Sequence, residues 1–194
     1  MAHRPIVHVI DDEADVCEAL KVLLHTAGLE ARTYASAEEF LSEVKLSRPI
    51  CLLADVRLPG MSGIELVHQL QQGPVRPVVV MITGHGDVPL AVKAMRAGAL
   101  HFLEKPFEPA ELLQTLEEAL QRVSQMAAEE ATAAAIEESY GSLTPREQEV
   151  MALLAEGMPT KLLATRLEIS TRTAEHHRAA VLKKMGARTV SHLA

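Results

Sequence analysis

Five short strand-like segments, the second weaker than the rest, alternate with helical patterns over roughly the first 120 residues, and this alternation constrains the fold most. The segments are "IVHVI" at 6–10, "LEARTY" at 29–34, "CLLAD" at 51–55, "PVVVMIT" at 77–83 and "LHFLE" at 100–104. Their length and β-branched content suit strands. After the first, Val16, Leu20, Leu23 and Leu24 repeat on one helical face, and Gly28 is placed to end that helix. Ser36 can cap a second helix reaching about Leu46, with Glu39 in the capping-box position. "SGIELVHQLQ" gives a third, and Asp87 caps a fourth that runs to about Ala97 and stops at Gly98. A long helix begins at Glu108, with Leu112, Leu113, Leu116, Leu120 and Val123 along one stripe. Strands and helices alternating at this length call for right-handed crossovers and a parallel sheet covered on both faces. The wholly apolar "CLLAD" fits a strand buried on both sides.

In such a sheet the site lies at the carboxyl ends of the strands. The polar residues there are Asp11 and Asp12 after the first strand, Asp55 at the third, Thr83 at the fourth and Lys105 past the fifth. Each alone has an ordinary explanation as a helix cap, a strand-end partner or a surface ion pair. Brought to one edge, they have a common chemistry. Crowded carboxylates favour a hard divalent cation, Mg²⁺ being the usual one. A carboxylate beside such a metal can attack a phosphoryl group and become an aspartyl phosphate. The metal and a lysine would neutralise the phosphoryl oxygens, and a threonine hydroxyl can bond one of them. "PG" after Asp55 makes a tight turn that leaves the carboxylate at a loop edge.

The charge is uneven. Residues 142–194 hold eight Lys and Arg against five acids, net +3, while residues 1–141 carry −10 of the whole-chain −7. A basic rear points to nucleic acid as partner. There "LTPREQEV" offers Thr144 and Glu147 as a capping box with Pro145 at the first helical position. Helices over 144–155, 159–167 and 171–185 follow, with Gly157 and Gly186 as stops and "EIS" as a short turn, a helix-turn-helix pattern. Between the two parts, "MAAEEATAAAIEES" continues the long helix with strong helix formers and a thin apolar face. Cys17 and Cys51 lack ligand spacing and read as small buried hydrophobes. No apolar run nears the ~20 residues of a membrane span and no signal-peptide pattern opens the chain, so a cytoplasmic protein is expected.

"DD" at 11–12, Asp55, "LPGMSG", "TGHGD" and "KPF" at 105–107 together resemble the receiver domain of two-component response regulators. "LTPREQEVMALLAEG", "KLLATRLEIS" and "TRTAEHHRAAVLKKM" resemble the LuxR-type helix-turn-helix, and the pair is similar to the NarL/FixJ class, on its FixJ-like branch. The resemblance implies an α/β receiver domain at 1–122, a five-stranded parallel sheet of the flavodoxin-like (βα)5 type. A helical linker at 123–141 and a small all-α DNA-binding domain at 142–194 follow. It implies that Asp55 accepts phosphate from a sensor histidine kinase. Asp12, Asp55 and the Arg57 carbonyl would bind Mg²⁺, Asp11 acting through water, and Thr83 and Lys105 would contact the phosphoryl group. Phe102 would be a switch aromatic coupled to Thr83, and the peptide before Pro106 would be cis. The fourth helix and fifth strand would form a homodimer surface on phosphorylation, with double-stranded DNA and RNA polymerase as further partners. No enzyme activity is expected beyond the chain's part in its own phosphoryl transfer and dephosphorylation. Arg57 stands where an aspartyl-phosphate hydrolase carries a second acid.

In the rear domain, Ala174, Val181, Leu182 and Met185 are expected to pack on Leu163, Leu167 and Ile169, joined by His177. Glu175, His176 and Ala179 would face the major groove. Lys161, Arg172, Arg178 and Lys183 would hold phosphates, with Thr173 on the same contact surface. Pro159 replaces the usual small cap, leaving Thr160 as substitute, and Glu168 replaces a usual glycine. The sequence reaches only the start of the fourth helix of such domains, which would leave the rear core short of cover. A phospho-dependent protein-interaction module without DNA binding is the alternative.

Overall fold

A computed structural model describes residues 5–84 and 88–192 and divides the chain into two compact units, 1–128 and 129–194. In the first unit the predicted alternation appears as β1 (Ile6–Ile10), α1 (Ala14–Thr26), β2 (Glu30–Tyr34), α2 (Ala37–Glu43) and β3 (Cys51–Asp55). It continues as α3 (Gly63–Gln71), β4 (Val78–Thr83), α4 (Val88–Ala97), β5 (His101–Glu104) and α5 (Pro109–Gly141), the last running on past residue 128. Helix α2 ends earlier than the pattern predicts, because Val44 turns to extended backbone. Asp87, the predicted cap of α4, lies outside the described residues.

All strand pairs are parallel, in the order β2-β1-β3-β4-β5. The order reverses at β1, so the crevice of this doubly wound sheet opens at the carboxyl ends of β1 and β3. Alternate side chains feed two cores. Val7, Val9, Cys51 and Leu53 pack under α1 and α5, with Leu20, Leu24, Leu112 and Leu116. Ile10, Leu52 and Ala54 pack under α2, α3 and α4, with Phe40, Leu66 and Val67. Every residue of β3 and β4 is buried, as an interior strand between two helical layers requires. The stripe on α5 ends early: residues 127–138 are all exposed.

The second unit folds around α6 (Pro145–Ala155), α7 (Thr160–Arg166) and α8 (Thr171–Lys184), followed by a 3₁₀ turn at Val190–His192. Thr144 and Glu147 form the predicted capping box. Leu143, Val150, Leu154, Leu163, Ala174 and Val181 make the core, with Leu167, Ile169 and Met185 at its edge. Leu182 is only half-buried and stands outside that cluster, and His177 is half-buried with its ring against His176. Thr160 does not replace the missing cap: Pro159 holds the N-cap position and α7 starts without a side-chain cap.

Candidate functional site

Three of the predicted residues meet at the crevice. Lys105 Nζ donates to Asp11 Oδ2 at 2.6 Å and to Asp55 Oδ2 at 2.6 Å. Asp11 and Asp55 are 1% and 5% exposed, so both carboxylates are nearly out of water. A buried carboxylate persists only when paired and hydrogen-bonded, and both are. The Oδ1 of each accepts a local backbone amide: Glu13 N–H at 3.0 Å for Asp11, Arg57 N–H at 2.7 Å for Asp55. One oxygen of each thus faces its own turn and the other faces the lysine. Burial alone would lower the Lys105 pKa, but its hydrogen bonds to Asp11 and Asp55, with their charges, outweigh burial and raise it.

The backbone fixes these positions. Asp11 N–H bonds the Tyr34 carbonyl at 3.1 Å, carrying β1 one residue past its ladder. Val56 N–H bonds the Ile82 carbonyl at 2.8 Å, and Lys105 N–H the Thr83 carbonyl at 2.7 Å. The Lys105–Pro106 peptide is cis, as the resemblance implies. Thr83 is fully buried at the end of β4. Phe102 is half-buried and packs against the core under α3 and α4. Asp12 and Arg57 are exposed beside the pair.

Close packing gives "LPGMSG" a physical meaning. A Cβ on Gly63 would stand 2.0 Å from the Asp55 carbonyl oxygen and 2.9 Å from Met81 Cε. Only glycine lets α3 begin directly behind the strand end. Gly60 sits at φ +75°, a left-handed turn that glycine adopts without penalty. The motif is visible in the sequence, but these two spatial reasons are not. Glu13 was also missed: its Oε1 lies 3.8 Å from Lys105 Nζ. Its place next to "DD" was the available signal.

The donor set suits a hard cation in kind: carboxylates of Asp11, Asp12 and Asp55 and the Arg57 carbonyl are all oxygen ligands. Among the described residues, no group of three or more His, Cys, Asp or Glu is spaced to hold a metal ion. The cation between Asp11 and Asp55 is the lysine.

On the second unit the predicted contact residues lie along α8. Arg172, Thr173, Glu175, His176, Ala179 and Lys183 are exposed there, Arg178 is half-buried, and Lys161 is exposed on α7. Ser170 caps α8 by accepting from Thr173 N–H at 3.1 Å, and its hydroxyl lies 2.7 Å from Thr173 Oγ1. Two further cations are spoken for. Arg146 bonds Glu149 and the Leu167 carbonyl, and Lys184 bonds Glu147 Oε2 at 2.6 Å. They fasten helices to one another.

Comparison with known proteins accounts for both units. Residues 7–117 match the response regulator receiver domain, and residues 141–194 match bacterial regulatory proteins of the luxR family. The chain is 43% identical over 195 residues to the transcriptional regulatory protein FixJ of Bradyrhizobium diazoefficiens, covering 100% of this chain and 94% of that protein. It is 42% identical over 190 residues to the C4-dicarboxylate transport transcriptional regulatory protein DctR of Rhodobacter capsulatus, covering 97% and 96%. The solved structure of the response regulator StyR superposes with a TM-score of 0.85 at 40% identity, over 98% of this chain and 96% of that one.

Proposed function

The chain belongs to the NarL/FixJ class of response regulators, a receiver domain joined to a LuxR-type helix-turn-helix, and from that premise we propose that phosphorylation of Asp55 controls its binding to DNA. The observation that carries this is the buried Asp55 carboxylate at the crevice, one oxygen on Arg57 N–H and the other on Lys105. Asp55 is the nucleophile: its Oδ attacks phosphorus of a phosphohistidine on a sensor histidine kinase, and the histidine leaves. Lys105, already pointed at that carboxylate, neutralises charge on the phosphoryl oxygens. Thr83, at the end of the neighbouring strand, bonds one of those oxygens, and Phe102 follows its movement as the packing half of a two-state element. Asp12, Asp55 and the Arg57 carbonyl would hold Mg²⁺, with Asp11 acting through water. When bound, the ion supplies the positive charge that offsets the carboxylates and the incoming phosphoryl group.

Dimerisation is the output. Val88, Val92 and Met95 stand 77%, 43% and 48% exposed along one stripe of α4, an apolar surface suited to a second copy. Pairing two copies would present two helices α8 to double-stranded DNA. Glu175, His176 and Ala179 would read base edges, and Lys161, Arg172, Thr173, Arg178 and Lys183 would hold the backbone. In this reading the protein works in the cytoplasm and regulates transcription with RNA polymerase. No helix among the described residues is long and apolar enough to cross a membrane.

The test is labelling. Acetyl phosphate or the cognate kinase with Mg²⁺ should add one phosphoryl group, seen by intact mass, and shift light scattering toward a dimer. Asp55→Asn should abolish both. Labelling that persists in Asp55→Asn overturns the assignment.

A further inference from the structure

The loop between β3 and α3 carries the Arg57 carbonyl and leads away from the phosphoacceptor. Its ends are tied by backbone bonds: Val56 N–H to the Ile82 carbonyl, and Gly63 N–H to the Val56 carbonyl at 3.1 Å. Its outer turn lacks such ties. There, Met61 N–H donates to Glu38 Oε1 at 2.8 Å, across a sequence separation of 23. Among the described residues, Glu38 is the one side chain from another helix that hydrogen-bonds this loop.

The fit is close as well as polar. A Cβ on Gly60 would stand 2.6 Å from Glu38 Oε1 and 3.3 Å from Glu38 Cδ, so the carboxylate rests directly on the bare glycine. Any side chain at 60 would push the carboxylate off Met61. The Met61 N–H is the foremost cause holding the Glu38 carboxyl below its ordinary range. Glu38 also lies in the first turn of α2, which Ser36 caps by accepting from Glu39 N–H at 3.1 Å. An acid belongs there for helix reasons alone, and Glu38 does serve its own helix start through its own N–H and Ser36, but its leading hydrogen bond goes to another element.

We propose that Glu38 is a positioning residue for the phosphoacceptor site: it pins the outer turn of the β3–α3 loop, and thereby sets the Arg57 segment beside Asp55. It touches no reacting atom. This rests on the reading of Asp55 given above. Losing the pin frees the outer turn, and the Arg57 carbonyl then has to be ordered each time a cation is bound.

The experiment uses the full chain and three variants: Glu38→Ala, Glu38→Gln and Asp55→Asn. Gln keeps an oxygen acceptor for Met61 N–H, whereas Ala does not. The first measurement is the initial rate of acetyl-phosphate labelling across a Mg²⁺ titration. Glu38→Ala should raise the half-saturating Mg²⁺ concentration about fivefold, the size of one ordinary hydrogen bond at an exposed site, with the rate at saturation within about twofold of the parent. Glu38→Gln should restore most of the difference, which a general loss of stability cannot explain. The second measurement is amide exchange without metal or phosphate donor. Met61 and Arg57 should exchange faster in Glu38→Ala, while amides of β1 and β4 stay unchanged. If Arg57 exchange and half-saturating Mg²⁺ are unaltered in Glu38→Ala, the proposal is wrong. It is equally wrong if Gln and Ala behave alike. If labelling persists in Asp55→Asn, the phosphoacceptor reading fails instead, and the exchange data alone decide whether Glu38 holds the loop.

Discussion

In the unit of residues 1–128, two buried carboxylates share one lysine at the end of three strands; in the unit of residues 129–194, the predicted contact cations stand apart on the outer sides of α7 and α8. The first arrangement is built by topology. β1 and β3 are neighbours, and their carboxyl ends bring residues 44 positions apart in the chain within reach of the same ammonium. The second follows helix periodicity: residues 172, 175, 176, 179 and 183 share a face of α8 at steps of three and four, with Arg172 and Lys183 as its cations and Arg178 to one side. A converged site depends on backbone placement to fractions of an ångström. A spread surface tolerates backbone shifts and depends on total charge. The two units should therefore fail in different ways.

The largest effect tests the converged site through its backbone. Gly63→Ala places a methyl 2.0 Å from the Asp55 carbonyl oxygen, a backbone atom that no side-chain rotation can move aside. Overpacking against backbone should cost the first unit about 3 kcal/mol. Thermal unfolding should resolve the loss, and acetyl-phosphate labelling should fall with it. A variant as stable as the parent would show that α3 can retreat from β3, and that the close packing is not a constraint.

The next effect tests the spread surface. Arg178→Ala and Lys183→Ala should each weaken DNA binding about tenfold at moderate salt and lower the salt slope by about 1. The loss should be similar for cognate and unrelated sequences, because phosphate contacts carry no sequence information. Unchanged affinity in both variants would remove DNA recognition through α8 and favour the protein-interaction alternative. Labelling of Asp55 should be untouched in either case.

How much of this was legible follows the same division. The strand ends announced Asp11, Asp55 and Lys105, because a parallel sheet sends all its carboxyl ends to one edge. The reason for Gly63, the seat of Glu38 over Gly60 and the reach of Glu13 to Lys105 depend on distances between elements, which periodicity does not encode. In the second unit the inward set was readable for Ala174 and Val181, but Leu182 is only half-buried and stands outside the core cluster, since the helical stripe of α8 is narrower than its apolar residues suggest. Lys184 looked no different from Lys183 in the sequence. Both are exposed, and only the fold reveals that Lys184 is tied to Glu147.

That tie gives the second unit a pH dependence of its own. The Lys184 ammonium, and then Thr144 N–H, hold the Glu147 carboxyl at about 2 against an ordinary 4.5. A depressed carboxylate stabilises the fold fully above the unfolded value and ceases to do so as pH falls through the folded one. The contribution should thus be complete above about pH 4.5 and fade toward pH 2. Lys184→Met removes the main cause, so acid unfolding of this unit, followed by methyl signals of Val150 and Leu154, should begin at higher pH than in the parent. An unshifted acid midpoint would mean that the pair adds nothing to stability.

The smallest effect concerns a single backbone angle, and it turns the comparison back on the first unit. Where the first unit needs a left-handed residue in its loop, it has Gly60 at φ +75°. Where the second unit needs one between α7 and α8, it has Glu168 at φ +55°. The position follows the last turn of α7, with Glu168 N–H on the Thr165 carbonyl at 3.3 Å and Ile169 N–H on the Ala164 carbonyl at 3.0 Å, a helix-ending geometry that favours glycine. A side chain there costs about 1 kcal/mol in the folded state. Glycine would remove that cost but widen the unfolded ensemble, which returns part of the gain. Glu168→Gly should therefore stabilise the second unit by about 0.5 kcal/mol, a rise in its thermal midpoint of a few degrees at most. The side chain is exposed and lies off the face of α8, so DNA affinity should hold. A destabilised variant would mean that Glu168 does not adopt the left-handed angle in solution, and that the turn between the two helices is set by the packing of Ile169 and Leu167 instead.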